Sequence, residues 1–195
     1  MSKEALSVVA IALTVLAFGP YIWSVYRGNT KAHVFSWIIW CTSTIIVFSA
    51  QTADEGGAGA WPIGLTSVAC LTIAVIAYFK KADRSITAID WVFFLLALAS
   101  VPIWFVTSAP LWTVIMLTVM DLLGFGPTFR KAYHKPHEEH LRFFAIMTVR
   151  NSIAISALEN YTVTTVLFPA AVAVTTSSLI VMVLLRRRAV GRSGG

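Results

Sequence analysis

Apolar residues gather in seven long runs, and the connections between them carry most of the charge. The runs lie at 5–26, 34–52, 60–80, 88–107, 110–132, 140–158 and 162–185. A helix needs about 20 such residues to cross a bilayer. The pattern therefore predicts an all-α membrane protein with seven transmembrane helices. The narrowest separation is Thr107-Ser108-Ala109-Pro110, where proline ends one helix or starts the next.

The runs also repeat. Residues 13–81 align with 120–188 without a gap, and the punctuation coincides. Phe18-Gly19-Pro20 falls on Phe125-Gly126-Pro127, Tyr26 on Tyr133, His33 on His140, Pro62 on Pro169 and Lys80-Lys81 on Arg187-Arg188. This predicts a 3+1+3 arrangement. A first three-helix repeat occupies 1–82, a linker helix 83–109 and a second three-helix repeat 110–188, with a disordered tail at 189–195.

Charge sets the expected orientation. Arg27 and Lys31 follow the first run, and Lys80, Lys81 and Arg84 the third. Arg130, Lys131, Lys135 and Arg142 surround the connection after the fifth, and Arg186, Arg187, Arg188 and Arg192 follow the seventh. The alternate connections hold Asp54 and Glu55, no charge, and Glu159. The positive-inside rule then places the N-terminus outside and the C-terminus in the cytoplasm. The two repeats run parallel, related by an axis along the membrane normal, and they enclose a central space near the midplane.

Composition agrees with this reading. Hydrophobic residues make up 57% of the 195-residue chain and charged ones 12%; a soluble domain carries about 25% charge. Mean hydropathy is +0.77. The net charge of +6 sits at the ends of apolar runs, where it meets anionic lipid, so it calls for no nucleic acid. Cys41 and Cys70 lie inside apolar runs and read as small packing residues. No cleavage pattern follows the first run, which reads as a retained span.

Proline and polar residues mark the inner end of the first helix of each repeat. Pro20 is followed by Tyr21, Tyr26, Arg27, Gly28 and Thr30, then by Ser36-Trp37 entering the next helix. The second copy is Pro127-Thr128, then Tyr133, Lys135 and Pro136. With the 3+1+3 plan, this resembles the SWEET and PQ-loop transporter group, and also a set of short bacterial seven-helix membrane proteins. The resemblance implies a bacterial inner membrane and a transporter that moves a small-molecule solute. Two departures stand out. Tyr21 and Thr128 occupy the place of the PQ glutamine, and spans two and six lack a proline. Sugar specificity is therefore not carried over, and a transporter of the nicotinamide-riboside type shares the same plan. Glycine before proline favours a kink, so Gly19, Pro20, Gly126 and Pro127 are the expected gate or hinge. Plain helix packing at glycine is the competing explanation.

Asp121 and Arg150 fall in mid-span, about 20 Å and 15 Å from the inner end at 1.5 Å per residue. A charge there costs at least about 2.5–3.5 kcal/mol, so each must face the interior or water. They either contact a polar solute or form a structural ion pair between spans five and six. Their counterparts in the first repeat are the neutral Thr14 and Ser43. Asn151 follows Arg150 and aligns with Thr44, and Trp40 shares a helix face with Trp37. The expected solute-binding set is thus Asp121, Arg150, Asn151, Trp40, Ser43, Thr44 and Thr14. Trp37 sits near the inner surface, where a lipid-facing ring is equally expected. Thr66, Ser67 and the run 175–178 could add hydroxyls, but such groups often bond only their own helix.

The inner connection 134–140 holds His134, His137 and His140 with Glu138 and Glu139. The spacing permits a metal site, yet two glutamates at a helix start are also favourable there, and no metal is assigned. No catalytic residue or cofactor is assigned either, since HExxH, GxSxG and P-loop motifs are absent from the sequence. A retinal photoreceptor needs a lysine in the last span, and 161–185 contains none. The alternatives to transport are a non-transporting sensor or lipid-binding protein, and a membrane enzyme. Expected partners are the solute and membrane lipid, with a homo-oligomer left open.

Overall fold

A computed structural model describes residues 1–30, 32–80, 86–134, 136–138 and 141–192. Eight α-helices follow one another among these residues: α1 (Lys3–Tyr26), α2 (Val34–Ala53), α3 (Trp61–Phe79), α4 (Ala88–Thr107), α5 (Pro110–Gly124), α6 (Gly126–His134), α7 (Leu141–Ser156) and α8 (Val163–Arg192). Short 3-10 turns, Gly57–Ala60 and Pro136–Glu138, precede α3 and follow α6. Six helices are long and apolar enough to cross a membrane, counting Pro110–His134 as one. That is the make-up of an integral membrane protein. The sixth predicted span, α7, has 16 residues, about 24 Å at 1.5 Å per residue.

Local chemistry sets where the helices begin. Ser2 Oγ accepts from Ala5 N at the start of α1. His33 Nδ1 does the same for Ser36 N at the start of α2. Thr87 and Asp90 form a reciprocal capping box on α4, satisfying N–H groups that a helix start leaves bare. Pro62 and Pro110 sit in the first turns of α3 and α5, where the missing N–H costs nothing.

Two predicted boundaries differ. The fifth span is not continuous, because α5 stops at Gly124 and α6 starts at Gly126. Pro127 has no N–H for the carbonyl of Leu123, and Gly124 and Gly126 are weak helix formers beside it. At the matching position α1 runs unbroken through Pro20. At the C-terminus, α8 continues to Arg192, beyond the predicted tail boundary at 188. Arginine is a good helix former, so the helix does not stop where the apolar run does. Residues 193–195 lie outside the described residues.

The packing forms a ring. α3 lies against both α1 and α2, and α8 against both α5 and α7. α1 then packs on α7, and α2 on α5, which closes the circle. α4 stands outside it, against α2 and α5. Of its residues only Ala97 and Ser100 are buried, while Phe105 and Val106 are 80% and 85% exposed. An apolar surface of this kind fits lipid rather than water.

The two ends of the ring differ. At the acidic end, the segments around 54–60 and 157–162 are tied together. Asn160 Nδ2 donates to Asp54 O at 3.2 Å, Thr162 Oγ1 donates to the Asp54 carboxylate, and Glu159 N donates to Gly56 O at 3.2 Å. Lys3 Nζ reaches Leu158 O, and Ser7 Oγ donates to Ala58 O at 2.6 Å. Gly59 lies so close to Leu158 that a Cβ would sit 2.6 Å from its backbone nitrogen. At the basic end, Arg186 donates to Tyr133 O at 3.2 Å, Arg187 to Pro136 O at 2.9 Å, and Lys80 lies over the Tyr26 ring. These contacts join near neighbours.

Candidate functional site

Inside the ring is a cavity of about 610 Å³. Every helix except α4 contributes to its wall. Tyr21 comes from α1, Trp37, Trp40 and Thr44 from α2, and Thr66 from α3. Asp121 comes from α5, Thr128 from α6, Arg150 and Asn151 from α7, and Thr176 from α8. Aromatic rings of Phe18, Phe143, Phe144 and Phe168 fill much of the remainder. The cavity reaches the basic end at His33, Ser36 and Thr128. A second cleft of about 670 Å³ lies at the acidic end beside Trp61, Glu55 and Glu159. Its two carboxylates are exposed, so the chemistry of interest is in the interior.

Arg150 is buried to 2% exposure and is held by neutral groups alone. Its Nε donates to Thr14 Oγ1 at 3.1 Å, Nη1 to Asn151 Oδ1 at 2.7 Å and Nη2 to Thr66 Oγ1 at 2.8 Å. Each acceptor is oriented by its own helix. Thr14 donates to Ala10 O, Thr66 to Pro62 O, and Asn151 Nδ2 to Met147 O. With their protons committed, the two hydroxyls and the amide oxygen are free to accept. A guanidinium has five N–H groups, and these bonds use three.

The Asp121–Arg150 ion pair, one of the two arrangements expected, is not formed. Asp121 is partly buried, lines the same cavity and makes no ion pair or hydrogen bond among the described residues. Arg150 finds its acceptors on α1, α3 and its own helix α7 instead. Two opposite charges thus share one cavity without touching, each short of a partner. Burying a charge without a partner is costly.

The other predicted residues divide. Trp40, Thr44 and Asn151 line the cavity. Thr14 does not line it but holds Arg150. Ser43 is buried yet lies off the cavity wall. Trp37, for which a lipid-facing position was equally expected, is 9% exposed and packs between Phe18, Tyr21 and Trp40. Gly19 and Gly126 have open space where a Cβ would stand, so close helix approach does not require glycine there. Among the described residues no cluster of three metal-ligating side chains occurs; Lys135, Glu139 and His140 lie outside them.

Sequence reasoning missed the part played by Thr66, Tyr21, Ser36 and Thr128. For Thr66 a signal existed: a buried arginine needs acceptors at its own depth, and few polar side chains on α1 and α3 supply them.

Fold and site together define a helical membrane protein with a charged interior cavity. No family model, curated protein or solved structure matches the chain.

Proposed function

We propose that this protein is a membrane transporter that moves a small polar solute by alternating access. The single observation that carries the reading is the cavity: seven helices surround an interior that holds Arg150 and Asp121, reaches one end of the bundle and is tied together at the other. A structural role alone gives no reason for a cavity of this size beside two unpaired charges. Mid-membrane ionisable residues facing such an interior are the usual mark of a solute or ion path.

In this reading α1–α3 and α5–α8 are two parallel units, joined by α4, that rock against each other around the cavity. The packing supports it, since the third helix of each unit lies between the other two, and each unit's first helix meets the other's second. The basic end faces the cytoplasm of a bacterial inner membrane by the positive-inside rule, and the resting shape is open inward. Movement is by facilitated diffusion or ion-linked exchange.

The test begins with a thermal-shift screen against sugars, vitamins and amino acids, because a ligand raises apparent stability by mass action. Each hit is then followed as labelled compound in proteoliposomes. Saturable counterflow that Asp121→Asn alters, with normal insertion, supports transport. Binding without counterflow assigns a non-transporting sensor or ligand-binding protein, and chemical turnover of the hit in detergent assigns an enzyme.

A further inference from the structure

The hydroxyls of the cavity are poorly placed to recognise a neutral, hydroxyl-rich solute. Thr44 donates to Trp40 O at 2.7 Å and Thr176 to Val172 O at 2.8 Å. Thr66, and Thr14 off the wall, donate to their own helices and accept from Arg150. Asn151 is engaged at both ends, one amide N–H by Met147 O and its oxygen by Arg150, which leaves one N–H. The deep wall therefore offers few free neutral donors.

What it does offer is charge. Arg150 keeps two N–H groups unused, enough for one carboxylate. Asp121 keeps its carboxylate free, enough for one ammonium. Trp37, Trp40, Phe143 and Phe144 line the same cavity, and aromatic rings suit an apolar body. The volume of about 610 Å³ falls within the range of small-molecule sites, about 300–1,000 Å³.

We infer that the cavity selects a small zwitterion, a molecule with one carboxylate and one ammonium on a compact apolar or aromatic frame, with the carboxylate on Arg150 and the ammonium on Asp121. This rests on reading the cavity as a solute site. It adds a reason for the separation of the two charges. A direct Asp121–Arg150 pair would leave nothing for the solute to complete, whereas a zwitterion satisfies both groups at once and leaves the occupied cavity neutral.

The test uses the full chain in lipid nanodiscs, with binding measured by calorimetry. The probes are the natural amino acids, and for the tightest of them its amide, which keeps only the ammonium, and its N-acetyl form, which keeps only the carboxylate. Glucose serves as the neutral probe. The free amino acid should bind at least about tenfold more tightly than either blocked form, about 1.4 kcal/mol, and glucose should not compete. Asp121→Asn should remove the advantage over the N-acetyl form while leaving that form bound as before. Asp121 makes no hydrogen bond or ion pair among the described residues, so this variant keeps the fold. Arg150→Lys, which keeps the charge, should weaken the N-acetyl form more than the amide. Equal binding of free and blocked forms, no binding by any amino acid, preferred binding of glucose, or indifference to Asp121→Asn each overturns the assignment. The transport reading fails separately: zwitterion-selective binding without counterflow sinks transport alone, and counterflow of glucose without zwitterion preference sinks this assignment alone.

Discussion

Gln51 on α2 donates through Nε2 to the backbone carbonyl of Thr165 on α8 at 2.8 Å. That carbonyl would normally accept from the residue four positions on, which is Pro169 and has no N–H. A side chain from one helix thus fills the gap a proline opens in another. The aligned Pro62 differs: Ala58 O already accepts from Trp61 N, and Ser7 Oγ on α1 donates to it as well at 2.6 Å. Both side-chain bonds tie neighbouring segments together near the acidic end.

The repair predicts a coupling. Gln51→Leu should destabilise the protein by about 1–2 kcal/mol, the cost of leaving a buried carbonyl unmet. In a Pro169→Ala background the helix supplies its own N–H, and the same change should cost much less. The Oε1 of Gln51 has no partner, so its loss adds nothing to the penalty. Chemical denaturation of the four variants measures the coupling energy. Strictly additive effects would mean that Gln51 does not act for the proline.

Thr66 makes a second prediction, drawn from the direction of its hydrogen bonds. Its oxygen accepts from Arg150 at 2.8 Å while its proton goes to Pro62 O at 2.9 Å, which turns a lone pair toward the guanidinium. Thr66→Ser keeps both bonds and should remain close to wild type. Thr66→Val keeps the shape, removes the acceptor and leaves a buried guanidinium N–H bare, at about 1–3 kcal/mol. Melting temperatures in one detergent should separate the two variants clearly. Equal stability of Ser and Val would show that water replaces the hydroxyl.

The acidic-end closure depends on glycine at one position. A Cβ on Gly59 would stand 2.6 Å from Leu158 N and 2.7 Å from its Cα, and backbone atoms cannot rotate out of the way. Gly59→Ala should therefore cost about 1–3 kcal/mol as overpacking does, or be relieved by parting the segments around 54–60 and 157–162. A cysteine at Thr44, in a chain with Cys41 and Cys70 replaced, reports which occurs. Parting raises its reactivity toward an impermeant thiol reagent added at the acidic end, and strain alone lowers the melting temperature without that gain.

Much of this was legible in the chain, and the rest was hidden for identifiable reasons. Helix positions followed from the apolar runs, because length and composition alone make a span. Asp121 and Arg150 stood out because charge inside an apolar run is costly wherever it points. Their relation did not follow, since a buried arginine can donate to threonine hydroxyls as well as to a carboxylate, and which it meets depends on the rotation of helices distant in sequence. Thr66 looked like any membrane threonine, because it bonds its own helix whether or not it has a further partner. Ser43 was chosen by alignment with Arg150, but equivalent positions share a face only when side-chain reach is also equal. A serine there stays within the packing while the arginine crosses to α1 and α3. The break at Phe125 was half visible: glycine and proline marked it, yet the same pair at 19–20 leaves α1 whole.

That contrast gives the last prediction. Phe18-Gly19-Pro20 and Phe125-Gly126-Pro127 align, but only the second coincides with a helix end, with Phe125 N donating to the carbonyls of Asp121 and Leu122. The break lies one turn from Asp121 on the chain, so movement of α6 can be felt at the cavity wall. The first proline lies in a helix that packs against both α3 and α7, where bending would disturb two interfaces at once. If one of the pair is a hinge, it is the second. Pro127→Ala restores an N–H for Leu123 O and favours a continuous helix through Phe125, since an interior proline costs about 3 kcal/mol. It should leave ligand binding near wild type while slowing counterflow several-fold. Pro20→Ala should leave both unchanged and raise the melting temperature slightly. Equal slowing by the two variants would restore a symmetric pair of hinges, and an effect of Pro20→Ala alone would move the hinge to α1.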